Sequence, residues 1–512
     1  MLGQPVFTTR AQYRDISIDG TGAPVVESTD QFVITLNPTS GRSSVDTTFW
    51  RQFNDVSERK IGPRASYKRQ QAANVHVLKM NRMMTPNEIV ALQADWKQIN
   101  EVALVEPDII LHAAIAPNDP EYSKQWDMVS PLNPISGKTY FGMNATTAWD
   151  AGYSGTGAIV SIIDTGITPH PDLAGQVVSQ YDFISDPTMA NDGSGRDADA
   201  TDAGDYEIVS GVTYSSSWHG THVAGTVAAL RNNSVGIAGI ANGAKLMVGR
   251  VLGAGGGYST DIADAIRWSA RLSVTGVPLV AKRANVINMS LGGSSSSCPT
   301  VFGDAINAAT AAGTMVVVAA GNSNVDAANA TPANCPQAVT VASTGPTGGR
   351  ASYSNYGTVV DIAAPGGNSA DGFSYPLSGG TIRSTLWSGA TTLASGSATY
   401  ANYQGTSMAA PHVAGVAALL YGIKPSATVA EITAILRANV TSFPVSSCTT
   451  SLCGTGILNA GLATAALQNT IGTLTPTAVV TPSSTSVPTA TLSATATRTA
   501  SNTATATNTA VP

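Results

Sequence analysis

At 512 residues, 43% of them hydrophobic, the chain is too long for one ordinary domain and can bury at least one sizeable core. Only 12% of residues are charged, the formal net charge is -6, and Lys and Arg never cluster with aromatics, so nucleic acid is not an expected partner. The four cysteines, Cys298, Cys335, Cys448 and Cys453, make no CxxC pair and no Cys/His ligand spacing, which argues against zinc and for two disulfides in an exported protein.

In chain order, residues 1–29 read as a flexible segment. MLGQPVFTTRAQYRD lacks the basic start and apolar core of a signal peptide, and no 18-residue apolar run is read elsewhere. Either the protein stays inside the cell or the chain as given has lost its export signal. The cysteines and the tail favour export, so an extracellular protein with no membrane partner is expected. Residues 30–115 form a small α+β module. QFVITL reads as a strand, VDTTFWRQFNDV as a helix and NVHVLKM as a second strand by its alternation. TPNEIVALQADWKQI then carries full helix signals: Thr85 as cap, Pro86 in the first turn, Glu88 completing a capping box, and Ile89, Leu92, Trp96 and Ile99 on one face. VALVEPDIIL supplies the closing strand.

Residues 118–468 change character. AIVSIID, KLMVGRVL, VINMSLGG, TMVVVAAGN and AVTVAST are continuous apolar runs, as in strands buried on both faces. THVAGTVAAL and STDIADAIRWSARL are helical stretches between them. The alternation predicts an α/β fold, a doubly wound and mostly parallel sheet whose ligands bind outside the carboxyl ends of the strands. Residues 470–512 are almost all Thr, Ala, Ser, Pro and Val. They cannot bury enough to offset chain entropy and are expected to form a disordered stalk that could carry O-linked sugars, with a further domain or anchor beyond it.

Several residues at that sheet edge could carry chemistry. Asp164 ends the apolar run of SIIDTGI, where an acid is either a turn residue or a catalytic group. His219 and His222 in WHGTHVAG sit three apart, but zinc needs a third protein ligand and no neighbouring residue offers one. Of the remaining histidines, His412 points away from Ser407 at i+5, His170 lies in a loop between two prolines with no fixed geometry, and His222 reads as a packing histidine; His219 is the best placed base. Asn322, beyond the run TMVVVAAGN, could offer its amide to an oxyanion. GTSMAAPHVAG opens a buried helix with two hydroxyls. Either Thr406 or Ser407 caps the first turn, or Ser407 is a nucleophile displayed at a helix start.

SIIDTGI, HGTHVAG and GTSMAAPHVAG, in that order and with the asparagine block between the last two, resemble the signatures of the subtilisin-like serine peptidases, the subtilases. The resemblance covers about 350 residues. It implies Asp164, His219 and Ser407 as a triad, Asn322 as oxyanion donor, no cofactor for the chemistry, and protein or peptide substrates cut by a monomeric endopeptidase of broad specificity. Ser290, Leu291 and Gly292 then resemble the strand lining the primary specificity pocket, opposite Ala320 and Gly321. Gly255, Gly256, Gly257 and Tyr258 resemble the edge that pairs with extended substrate. The front module resembles a ferredoxin-like subtilase propeptide, an intramolecular inhibitor released by self-cleavage between Ala113 and Asn118. Cys298 and Cys335 flank the helix and strand around Asn322 and are paired on that ground, Cys448 and Cys453 as a short local loop, although four cysteines permit three connectivities. The acidic loop SDPTMANDGSGRDADATDAGD is either solvated or a structural calcium site with Asp192, Asp197 and Asp199 as ligands. Two other classes stand beside this reading: a non-catalytic subtilase-like adhesion protein carried on the tail, and a zinc hydrolase built on His219 and His222.

Overall fold

The computed structural model describes residues 17–18, 24–25, 29–38, 47–84, 86–108, 116–130, 139–373 and 378–472. Thr85 and most of the junction between the front module and the main domain, 109–115, lie outside them, as does the tail from 473 onward, so the Thr85 cap and the stalk are not described.

Residues 29–107 run strand, helix, strand, strand, helix, strand, the order of a ferredoxin-like module. The four strands are antiparallel, ordered Ala65–Ala72, Val75–Met84, Thr29–Leu36, Val102–Pro107. Ala65–Ala72 gives no sequence signal because it is an edge strand. Its side chains are mostly exposed, and Lys68 and Arg69 along it discourage further pairing. Ile89, Leu92 and Trp96 are fully buried as the helical face predicts, and the Trp96 indole donates to the Phe53 carbonyl at 3.1 Å, tying the two helices together. Glu88 is held by Arg82 at 2.6 Å.

The main domain is built on a nine-stranded sheet. From one edge the order is Val440–Thr441, Ile457–Leu458, Ile362–Pro365, Ala338–Thr344, Met315–Ala319, Val286–Met289, Ile159–Asp164, Lys245–Arg250, Val177–Asp182. All pairings are parallel except that of the Val440–Thr441 edge. Successive residues of one strand serve opposite faces, which is why these strands read as unbroken apolar runs. Val160 and Ile162 join the core under the helices His219–Ala228 and Thr406–Ile423, while Ile163 joins Met247, Ile287 and Val318 under Ser259–Ser269 and Thr300–Ala311.

The chain enters at Ile159–Asp164, builds outward to one edge, then returns to Val286–Met289 on the other side of that first strand and builds the opposite wing. The reversal between these two strands opens the crevice in which an open α/β sheet binds its ligand. Asp164 stands at the end of the first and Ser290 just past the end of the second.

Four strands of this sheet escaped the sequence reading: Val177–Asp182, Ile362–Pro365, Val440–Thr441 and Ile457–Leu458. Val177–Asp182 is a partly exposed edge, and Ile362–Pro365 is four residues ending in proline. Thr406–Ile423 is also long and apolar enough to cross a membrane, contrary to the sequence reading, but 83% of that window is buried in the domain core. Cys298 is joined to Cys335 and Cys448 to Cys453.

The strand neighbouring Asp164 ends in Arg250, in register with it and fully buried. Its guanidinium reaches Asp182 at 2.5 Å, Asp192 at 2.6 Å and the Ala190 carbonyl. Burial pushes the Asp182 carboxyl up to about 7 even though Arg250 pulls the other way. Removing one partner of such a pair strands the other. Arg250→Met is expected to cost about 3–5 kcal/mol in urea unfolding, and adding Asp182→Leu should recover much of that loss.

Candidate active site

Asp164 is fully buried at the strand end. Its Oδ1 accepts from the Thr165 backbone N–H at 2.8 Å and from His219 Nδ1, also at 2.8 Å. A carboxylate oxygen can only accept, so His219 Nδ1 carries the hydrogen and donates it to this bond, which fixes neutral His219 as the tautomer with its Nε2 lone pair free. Asp164 Oδ2 is buried with no hydrogen-bond partner among the described residues, so the carboxylate is met only at Oδ1, by the Thr165 amide and the imidazole. His219 opens its helix with a side chain one-fifth exposed. Burial disfavours its charged form, but the charge and hydrogen bond of Asp164, with Asp205 and Asp202 behind, outweigh this and hold its pKa above the ordinary histidine value.

The helix start is brought to the strand by Gly220 and Thr165. A Cβ on Gly220 would lie 2.2 Å from the Gly166 carbonyl oxygen, so only glycine permits this approach. The Gly220 N–H donates to Thr165 Oγ1 at 3.0 Å, and Thr165 passes its own proton to Asp202 Oδ2 at 2.6 Å. Burial pushes Asp202 up to about 7. Asp205 is engaged by the Ser217 N–H and hydroxyl at 2.6 and 2.7 Å. These second acids were absent from the sequence reading because nothing local marks them off from the rest of the acidic loop.

Ser407 is the second residue of the Thr406–Ile423 helix. Neither hydroxyl of the pair caps that helix: Gly405 is the N-cap and no side chain bonds there. Instead Thr406 Oγ1 accepts from the Gly321 N–H at 3.0 Å and donates to Asn322 Oδ1 at 2.9 Å, and the Thr406 N–H donates to the same oxygen at 2.9 Å. A backbone N–H can only donate, so Asn322 turns its oxygen to Thr406 and its Nδ2 donor elsewhere. The Ser407 N–H has no partner among the described residues, while the next two amides are both taken by the Gly405 carbonyl. A Cβ on Gly405 would lie 3.4 Å from Asn322 Nδ2 and 3.6 Å from the Ser407 nitrogen. Two donors therefore face one space that the missing side chain leaves open.

Pro411 lies inside this helix and has no N–H to give the Ser407 carbonyl four residues back. Ser290 Oγ takes that place at 2.7 Å, and the Ser407 hydroxyl rests on the Ser290 carbonyl at 3.3 Å. Ser290 also lines, with His219, a cleft of about 420 Å³ whose walls include Leu252, Gly253, Gly255 and Gly256. Of the predicted groups, His219 lines this cleft with Asp164 bonded behind it, while Ser407 is bonded to the cleft residue Ser290 and Asn322 to Thr406 beside Ser407.

Of the predicted groove residues, Gly256 pairs with Gly253 and Tyr258 is half-exposed beside them. Leu291 and Gly292 lead from Ser290 into a short ladder in which Gly293 pairs with Thr331. Ala320 is buried, and its carbonyl accepts from Asn355 Nδ2 at 2.9 Å. The Asn355 Oδ1 takes the amides of Ser323 and Val325 at 3.0 and 3.1 Å, which makes it the staple of the Asn322 loop. No sequence signal points to it, because its partners lie 30 or more positions away.

Two expectations are corrected, and the reading of His222 as a packing histidine is met. His170 has a fixed geometry: it is buried, donates from Nε2 to the Thr399 carbonyl at 2.9 Å and accepts the Asp172 N–H on Nδ1. Its anchor lies 229 positions away, out of reach of any local reading. Asp192, Asp197 and Asp199 do not assemble as calcium ligands. Each accepts from an amide two residues ahead in successive Asx turns, Asp192 also holds Arg250, and no group of three acids among the described residues is arranged for a metal. His222 and His219, three apart on one helix, do not share a site. The His222 ring lies on Tyr403 at 4.6 Å with Nε2 3.2 Å from the Ala401 carbonyl, and burial lowers its pKa to about 3.

Residues 155–460 match the model of the subtilase family. The extracellular protease of Xanthomonas campestris pv. campestris is 46% identical over 382 residues, covering 73% of this chain and 62% of that protein. The extracellular basic protease of Dichelobacter nodosus is 41% identical over 329 residues, 62% of this chain and 50% of its own length. The chain therefore spans less than two thirds of either. Thermitase of Thermoactinomyces vulgaris is 37% identical over 296 residues and is covered to 85%. A protease structure from Pseudoalteromonas arctica PAMC 21717 is 49% identical, matched over 69% of this chain and 100% of that one, with a TM-score of 0.63. The chain belongs to the subtilase family of subtilisin-like serine proteases, enzymes that need no cofactor for their chemistry.

Proposed function

We propose that the protein is an exported serine endopeptidase that cuts protein substrates through Asp164, His219 and Ser407 and is made as a self-processing precursor. The observation that carries this is the 2.8 Å bond from His219 Nδ1 to a buried Asp164, beside a cleft whose other wall includes Ser290, itself bonded to the Ser407 carbonyl. His219 Nε2 takes the proton as Ser407 Oγ attacks the scissile carbonyl, and later returns it to the leaving amine. To do so the hydroxyl leaves the Ser290 carbonyl, giving up one long hydrogen bond of 3.3 Å. The tetrahedral oxyanion enters the space beside Gly405, where Asn322 Nδ2 and the Ser407 N–H meet it with the positive end of the helix behind. Gly253 to Gly257 offer backbone to an extended substrate, which gives broad specificity. The front module acts as propeptide and inhibitor, and two similar proteases named extracellular support export.

Ser407→Ala is expected to abolish casein cleavage with the fold intact, whereas the adhesion reading expects no labelling of Ser407 by phenylmethylsulfonyl fluoride. Asn322→Ala should cost about 100- to 1000-fold in kcat, a magnitude taken from subtilisin itself, and Gly405→Ala, whose methyl fills the oxyanion space, a loss of the same order with unchanged circular dichroism. Because His219 works as a base only when neutral and its pKa is raised, activity must fall as pH drops, with the acid limb of kcat/KM above pH 6.5. Asp205→Asn should move that limb to lower pH. Amino-terminal sequencing of active enzyme should find a start between Ala113 and Asn118, and Ser407→Ala chains should stay whole.

A further inference from the structure

The cleft beside His219 has a wall that the catalytic groups do not explain. Glu207–Val209 and Val212–Tyr214 form an antiparallel hairpin immediately before the His219 helix, with Glu207 opposite Tyr214 and Val209 opposite Val212. Ser210 and Gly211 between them both have positive φ, 51° and 79°, the two-residue turn whose twist matches the strands, so the hairpin is short and set in register. Cross-strand partners share a face, so Glu207, Tyr214, Val209 and Val212 lie on one side and Ile208 and Thr213 on the other. Glu207 and Tyr214 both line the 420 Å³ cleft with His219, Ser290 and the Gly253–Gly256 edge.

The neighbouring acids are spoken for: Asp164 by His219, Asp202 by Thr165, Asp205 by Ser217. Glu207 is different. Its carboxylate has no hydrogen bond or ion pair among the described residues, is only partly exposed, and stands with Oε1 3.0 Å from where a side chain on Gly255 would begin. Beyond it the same face runs into Tyr214, 59% exposed, and Val209 and Val212, 50% and 55% exposed. An anion at the inner end of an open apolar strip suits a long aliphatic stem with a cationic head.

Resting on the peptidase reading above, we propose that Glu207 and Tyr214 form a specificity subsite for a Lys or Arg side chain of the substrate segment laid along Gly255–Gly257. The backbone contacts of that edge accept any residue, and this hairpin then favours cationic ones. The preference is electrostatic and part-exposed, so it is modest and weakens with salt.

The test uses the mature wild-type enzyme and Glu207→Gln on peptide pairs that differ only by Lys or Gln at each position before the cut. Expected is a ratio of kcat/KM for Lys over Gln of about five- to tenfold at one position, falling to about one in Glu207→Gln and in 1 M salt. Glu207→Lys should turn the preference toward Glu at that position. No cationic preference at any position, or a preference that survives in Glu207→Gln, overturns the proposal while leaving the peptidase reading standing. Equilibrium binding of the same peptides after treatment with phenylmethylsulfonyl fluoride separates the two readings. Tighter binding of the Lys peptide that Glu207→Gln removes supports the subsite even for a chain that cleaves nothing, and equal binding overturns it.

Discussion

A hydrogen bond that one helix cannot make organises the site. Pro411 withholds the amide that the Ser407 carbonyl would otherwise accept, and Ser290, at the end of a central strand, supplies its hydroxyl instead. The first turn of the helix is thereby fastened to the sheet at the point where the strand order reverses. Thr406 fastens it a second time, to the Gly321–Asn322 loop, by three bonds of 2.9 to 3.0 Å. Each is worth about 1 kcal/mol net. Their number serves geometry more than stability, since a nucleophile displaced by even 1 Å loses much of its rate.

The same economy governs charge. Two strand ends and one loop deliver acids, and each is answered differently: Asp164 by an imidazole, Asp182 by a guanidinium, and Asp202, in the loop, by a hydroxyl and an amide. Only the first is answered by a group that can lose its proton near neutral pH. Asp202, with no cation bonded to it and its carboxyl pushed up to about 7 by burial, instead holds Thr165 and through it the backbone of Gly220. A buried carboxylate beside a functional pair can therefore be scaffolding, and a perturbed pKa alone does not tell the two apart.

What could be read from the chain follows from where each residue's partners lie. The five apolar runs were legible because a strand buried on both faces needs no partner information to be recognised, and the helices beginning at His219 and Ser259 were legible from their period. The edge strands Val177–Asp182 and Ala65–Ala72 were not, because half-wet strands carry charge and lose alternation. Within the site, Asp164, His219, Asn322 and Ser407 stand in distinctive local contexts. Thr165, Asn355 and Asp202 do not, and their roles exist only through contacts that fold distant segments together. The acidic loop misled for the opposite reason. Its spacing of acids looks like a ligand set, yet the same spacing lets each carboxylate reach the amide two residues on, and the local turns leave no group of three acids gathered at one point among the described residues.

The floor and the rim of the cleft are constrained unequally, and this bears on what can vary without loss of the reaction. Below the rim, Ser407 is held by the strand-end residue Ser290, Asn322 by a helix start and His219 by a buried acid, so each group answers to a second element and a substitution there propagates. On the rim, Glu207 and Tyr214 answer to each other and to a two-residue turn, and Ile208, Val209 and Val212 beside them are half-exposed or more. Substitutions at exposed positions of this kind rarely cost more than about 0.5 kcal/mol. A hairpin so placed can vary in its side chains while Ser407 and His219 stay where the sheet puts them.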